Sequence, residues 1–89
     1  MQLKRRDVLT GLRKLGEIFQ GRKHEKCRVV IDGKEVATFA IPSSRDFDDT
    51  LIAFVAKPLG LQNHPFGKVC DCTHDATWFR EYLVARDLL

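Results

Sequence analysis

The chain has 89 residues, 44% hydrophobic and 30% charged, with a formal net charge of +3. That length suits one small domain, the apolar content argues against disorder, and no run of about 18 apolar residues is present to span a membrane. The charge is uneven: residues 1–34 hold ten Lys or Arg against four acids, whereas residues 35–89 hold five against eight, so the first part is set up to meet a polyanion.

The N-terminal "MQLKRRDVLTGLRKLGEIF" is charged throughout and lacks the apolar core of a signal peptide, so a cytoplasmic protein is expected. Within it, residues 4–15 place Val8, Leu12 and Leu15 at i, i+4 and i+7, with Leu9 alongside, which predicts a helix. Gly11 costs that helix about 1 kcal/mol relative to Ala. Gly16 is expected to end it as the C′ residue. "EIFQ" reads as a short edge strand. "KCRVVID" and "EVATFAIP" are two β-branched runs joined around Asp32-Gly33, a hairpin signal. Cys27, Val29 and Ile31 share one face, as do Ala37, Phe39 and Ile41. Pairing those sets calls for an odd loop such as Asp32-Gly33-Lys34, since a two-residue loop would misalign them, and the turn type itself is left open.

After Pro42, residues 46–56 predict a second helix with Phe47, Leu51 and Val55 on one side and Asp46, Asp48 and Asp49 at its positive end. Pro58 should stop or kink it. "GLQNHPFGKVCDC" reads as a loop, and "HDATWFREYLVARDLL" as a third helix with Trp78, Tyr82 and Ala85 on one stripe and Phe79 and Leu83 beside it. The fold class is α+β. Two helices cover one face of a three-stranded antiparallel sheet, in the order α-β-β-β-α, with a further C-terminal helix.

The candidate site lies in "GRKHEKCRVV". On an extended strand, residues 22, 24, 26 and 28 fall on one face. Arg22, His24, Lys26 and Arg28 would then form a stripe opposite Cys27, Val29 and Ile31. Such a stripe could be an anion-binding site with a proton-transfer group in it, which requires a base for the proton and cations for the anion. Histidine is the residue type for the first task, since an imidazole titrates at roughly pH 6.5. Arg22, Lys23, Lys26 and Arg28 suit the second, and Lys4, Arg5 and Arg6 could extend the phosphate contacts from the first helix. The competing reading is a solvated basic face with an incidental histidine.

Four features in order resemble a known family: "LRKLG" closing the first helix, "GRKH" with glycine three residues before histidine, the hairpin "DGKEVATFAIP" with its proline exit, and "AKPLGL" ending the second helix. Together they resemble HicA-type toxins, the small mRNA interferases of HicA–HicB toxin–antitoxin systems. The likeness runs over residues 1–61, and residues 62–89 form a C-terminal loop and helix packed on the same domain. It implies a double-stranded-RNA-binding-domain-like (dsRBD-like) core, cleavage of mRNA without a metal or cofactor, neutralisation by a HicB-like antitoxin, and His24 as the catalytic histidine. Arg22 stands where the family usually has Ser, and "PSSRD" where it often has another His. The alternative is a non-catalytic RNA-binding or protein-inhibiting module on the same fold.

Two further groups of residues are weighed. His64, Cys70, Cys72 and His74 contain zinc-ligand types, but Cys-x-Cys is tighter than the usual Cys-x₂₋₄-Cys, so no metal is expected. The three cysteines, Cys27 included, are expected as reduced thiols. Trp78, Phe79 and Tyr82 have a spacing that favours core over base stacking. The C-terminal helix is apolar enough either to close the core or to form a homodimer or partner interface.

Overall fold

The computed structural model describes residues 1–89. A two-residue strand, β1 (Leu3–Lys4), leads into helix α1 (Arg5–Leu15), whose buried side consists of Val8, Gly11, Leu12 and Leu15. Gly11 has a packing reason. A Cβ there would lie 2.9 Å from Cys70 Sγ and 3.1 Å from Cys70 Cα, so α1 is crossed closely by a later helix at this point. Gly16 differs from the expected left-handed cap: it ends α1 in an extended conformation, with φ at −160°. Its missing side chain admits the next layer, because a Cβ would meet the Arg28 carbonyl oxygen at 2.3 Å.

The sheet follows in the order β2 (Glu17–Gln20), β3 (Glu25–Ile31) and β4 (Lys34–Ala40), all antiparallel. Ile18 pairs with Cys27, Cys27 with Phe39, and Val29 with Ala37, which keeps the apolar sets together on the inner face. The odd loop is absent. Asp32 (φ 54°) and Gly33 (φ 77°) form a two-residue turn, and the ladder closes at Ile31↔Lys34. A bulge beside Val29 and Val30 leaves Val36 unpaired and absorbs the one-residue mismatch that a two-residue turn would otherwise create.

Asp46 and Phe47 are not helical. They form β5 (Asp46–Phe47), paired with β1 through Leu3↔Phe47 and Lys4↔Asp46. Helix α2 (Asp49–Ala56) starts later, capped by Asp48, whose carboxylate accepts the Leu51 N–H at 2.9 Å. A 3-10 turn, Lys57–Leu59, takes over at Pro58. The stretch read as a loop contains helix α3 (Asn63–Cys70). Pro65 sits in its first turn, where the N–H would be unpaired in any case, so it does not break the helix. Phe66, Val69 and Cys70 form its buried stripe. Helix α4 (Ala76–Ala85), capped by Asp75, buries Phe79 and Leu83, while Trp78 and Tyr82 are half-buried and Ala85 is exposed.

One cluster of 18 buried residues joins these elements, with Phe47, Phe66 and Phe79 its largest fully buried side chains. Phe66, Val69, Cys70, Phe79 and Leu83 come from residues 62–89, so the C-terminal segment packs into its own chain's core. The outer face of the sheet, carrying Phe19, Lys26, Arg28, Val30 and Thr38, is exposed. The architecture is thus α+β, with a three-stranded antiparallel sheet and four α-helices. None of the helices is long and apolar enough to cross a membrane.

Candidate nucleic-acid interface

The four-residue stripe is not formed as expected. β3 begins at Glu25, and Gly21, Arg22, Lys23 and His24 make the turn that joins it to β2. Gln20 already pairs with Glu25, so the chain reverses within those four residues and cannot remain extended through them. The Gly21 N–H donates to the His24 carbonyl at 2.9 Å and closes the turn. Only Lys26 and Arg28 keep the predicted alternation, facing out while Cys27 and Val29 face in. Lys26 nevertheless belongs with the turn. Its Cδ and Cε would lie 3.2 and 3.0 Å from a Cβ placed on Gly21, so its aliphatic stem lies over the turn that holds His24.

Arg28 has a different environment. Its Nε is 3.1 Å from Glu35 Oε1, and Glu17 is its cross-strand partner, so the face is charge-balanced there. Arg5 is also engaged. Its Nη2 is 3.1 Å from Glu25 Oε1, and its Nη1 donates to the Pro42 carbonyl. Its backbone N–H donates to the Arg45 carbonyl at 2.8 Å. These bonds join the start of α1 to the start of β3 and to the segment that leaves β4. Lys4, Arg5, Arg6, Arg45 and Asp46 line an open cleft of about 310 Å³ with no apolar residue.

His24 is exposed, and its Nδ1 lies 3.5 Å from Ser43 Oγ, at the outer limit of a hydrogen bond. Ser44 Oγ donates to the Asp46 carbonyl at 2.7 Å and shapes the same segment. Sequence reasoning missed both Ser43 and Arg45. The signal was available, because continuing the Lys26↔Ala40 register beyond the strands sets the residues after Pro42 beside the turn that carries His24. Two groups of cations thus adjoin at one end of the sheet: Lys26 with the Arg22–His24 turn, and Lys4, Arg6 and Arg45 in the cleft that Arg5 joins to it through Glu25 and Pro42, with Glu25 and Asp46 the nearby acids. At the other end the charges are matched, with Arg80 donating to Asp32 Oδ2 at 2.7 and 3.0 Å. That pair holds the Asp32 carboxyl below the usual carboxylate range.

The other chemistry-bearing residues disperse. Burial pushes the Cys27 thiol up to about 11 and the Cys70 thiol up to about 12. Cys70 packs against Gly11, Cys72 is exposed, and His74 stacks on Trp78 at 4.0 Å with the rings 4° apart. No group of three or more His, Cys, Asp or Glu side chains is placed to hold a metal ion. Of the aromatic trio, Phe79 is core. Trp78 and Tyr82 are half-buried and pack against the core, their ring centroids 5.0 Å apart and tilted by 32°, and the Arg86 guanidinium lies 4.6 Å over the Tyr82 ring.

Comparison with protein-family models, with curated proteins and with solved structures finds no match to this chain.

Proposed function

We propose that this chain is a cytoplasmic RNA-cleaving toxin of HicA type, a metal-independent mRNA interferase on a dsRBD-like core, controlled by a HicB-like antitoxin. The observation that carries the reading is that His24, on the β2–β3 turn with Arg22, Lys23 and Lys26, lies at the end of the sheet where Arg5 joins that turn's strand to a cleft lined by Lys4, Arg6 and Arg45. His24 Nδ1 faces Ser43, which leaves Nε2 to accept the 2′-OH proton. The 2′-oxygen then attacks the adjacent phosphorus, and the 5′-oxygen leaves with a proton from water. The products are a 2′,3′-cyclic phosphate and a 5′-hydroxyl. Arg22, Lys23 and Lys26 balance the charge that builds on the phosphate oxygens. Lys4, Arg6 and Arg45 hold flanking phosphates, and Arg5 positions the segments around them. An antitoxin would act by covering this basic end.

Purified protein should cleave RNA in EDTA, and His24→Ala should abolish cleavage while leaving the circular dichroism spectrum unchanged. Equal inertness of the two proteins on varied RNAs would remove the enzyme. The non-catalytic alternative has its own support. His24 has no carboxylate partner, since the neighbouring Glu25 is taken by Arg5. Arrested growth on expression that persists in His24→Ala would favour that module.

A further inference from the structure

Two large apolar side chains stand exposed on the outer face of the sheet, Val30 near the hairpin turn and, at the other end, one aromatic ring. Phe19 stands on edge strand β2 and is 39% exposed. It pairs across the sheet with Lys26, which in turn pairs with Ala40, so one row runs Phe19, Lys26, Ala40 over three strands. Ile18, its neighbour, points the other way and packs on the core, so strand alternation holds Phe19 outward. Ala40, the third member of the row, carries only a methyl group. Lys26 extends from this row over the Gly21 turn toward His24. The next row, Glu17, Arg28 and Thr38, has compensated charge. An aromatic ring is therefore exposed where the balanced part of the face gives way to its basic end.

We infer that Phe19 is a stacking subsite for an unpaired base, and that the RNA recognised by the basic end is single-stranded. The inference rests on the proposed function and adds the form of its substrate. A base laid on the Phe19 ring leaves its phosphates near Lys26 and the Arg22–Lys23 turn, where the positive charge complements them. Paired bases cannot reach the ring in this way, because their faces are already stacked on one another. Stacking is indifferent to base identity, so the subsite sets strandedness and register rather than sequence.

The test uses a short single-stranded RNA with 2-aminopurine at one position, together with the same RNA annealed to its complement. Wild type should bind the single strand more tightly than the duplex and quench the 2-aminopurine. Phe19→Trp should retain both properties. Phe19→Ala should lose the quenching and weaken binding by about five- to 150-fold, the range of one base–aromatic stack. Its salt dependence should match wild type, whereas Lys26→Ala should lower the slope. Phe19→Leu, which keeps an apolar side chain on the strand, should behave like Phe19→Ala and so separates ring stacking from a folding defect. Wild-type affinity in Phe19→Ala, or duplex binding equal to the single strand, overturns the inference and leaves the proposed function standing. Phe19-dependent self-association without RNA would assign the ring to a second copy and also overturn it. If no RNA binds at low salt, both fall.

Discussion

Cys27 and Cys70 stay protonated because an ionised sulfur would have to leave water, and their thiols are pushed up to about 11 and about 12. Cys72 is exposed. A thiol reagent at neutral pH should therefore modify one cysteine per folded chain and three in denaturant. Rapid labelling of two or more in the native state would contradict the burial. The same shifts fix the alkaline behaviour. Above the ordinary thiol range the unfolded chain has released protons that the folded chain keeps, so stability falls as pH rises toward 11 and 12. In acid the sign reverses. Asp32 is held low mainly by its hydrogen bond from Arg80, so the stabilisation it gives is complete above the unfolded carboxylate range and is lost as pH falls through its folded value. Denaturation midpoints measured across pH should decline at both ends, and Arg80→Ala should flatten the acid limb. His24 shows where residue-level reading stopped. Its charged neighbours were legible, but its face was not, because alternation applies only once a strand has begun and β3 begins at Glu25.

Among the elements, the hairpin was legible because Asp-Gly and two alternating runs state the same thing locally. The two-residue turn and the bulge at Val36 that accommodates it were hidden, since they belong to the register of two strands together. Helix α3 was missed because Pro65 and Gly67 read as breakers, although Phe66, Val69 and Cys70 have helical spacing. The β1–β5 ladder joins residues more than forty positions apart through two pairs, and no local pattern announces it. The crossing of α1 and α3 at Gly11 gives a direct test. Gly11→Ala gains about 1 kcal/mol of helix propensity, but its Cβ meets Cys70 main chain as well as sulfur, and overpacking costs about 1–3 kcal/mol. The substitution should lower stability by about 1 kcal/mol in urea unfolding, and Gly11→Val by more. A stabilised Gly11→Ala would mean that the helices separate easily.

For the molecule as a whole, the core is shared between the hairpin region and the C-terminal helices. Two of its three largest fully buried side chains, Phe66 and Phe79, lie beyond residue 61. Truncation after Leu61 should therefore unfold the chain, seen as loss of amide dispersion in its NMR spectrum. Phe66→Ala should cost about 3–5 kcal/mol. A truncated chain that stays folded would show that the sheet and two helices suffice. The basic end was legible as composition, an excess of Lys and Arg in residues 1–34, but Arg45 joins it only through the fold. Its binding should weaken with salt, the logarithm of affinity falling by about 0.7 per phosphate contact for each logarithmic unit of salt. Lys26→Ala should remove nearly one contact from that slope and Arg28→Ala much less, since Arg28 is already paired with Glu35.

The excess of cations over acids at one end of the sheet, against the Asp32–Arg80 pair at the other, gives the molecule a direction. Near a polyanion, a tumbling protein with such a distribution experiences a torque before any side chain touches, and the basic end turns forward during the approach. More collisions then arrive in a productive orientation. In stopped-flow mixing with RNA, added salt should slow association more than it speeds dissociation. Replacing Arg45, which lines the basic cleft with Lys4, Arg5 and Arg6, should lower the association rate even with oligonucleotides too short to span the histidine turn and the cleft together.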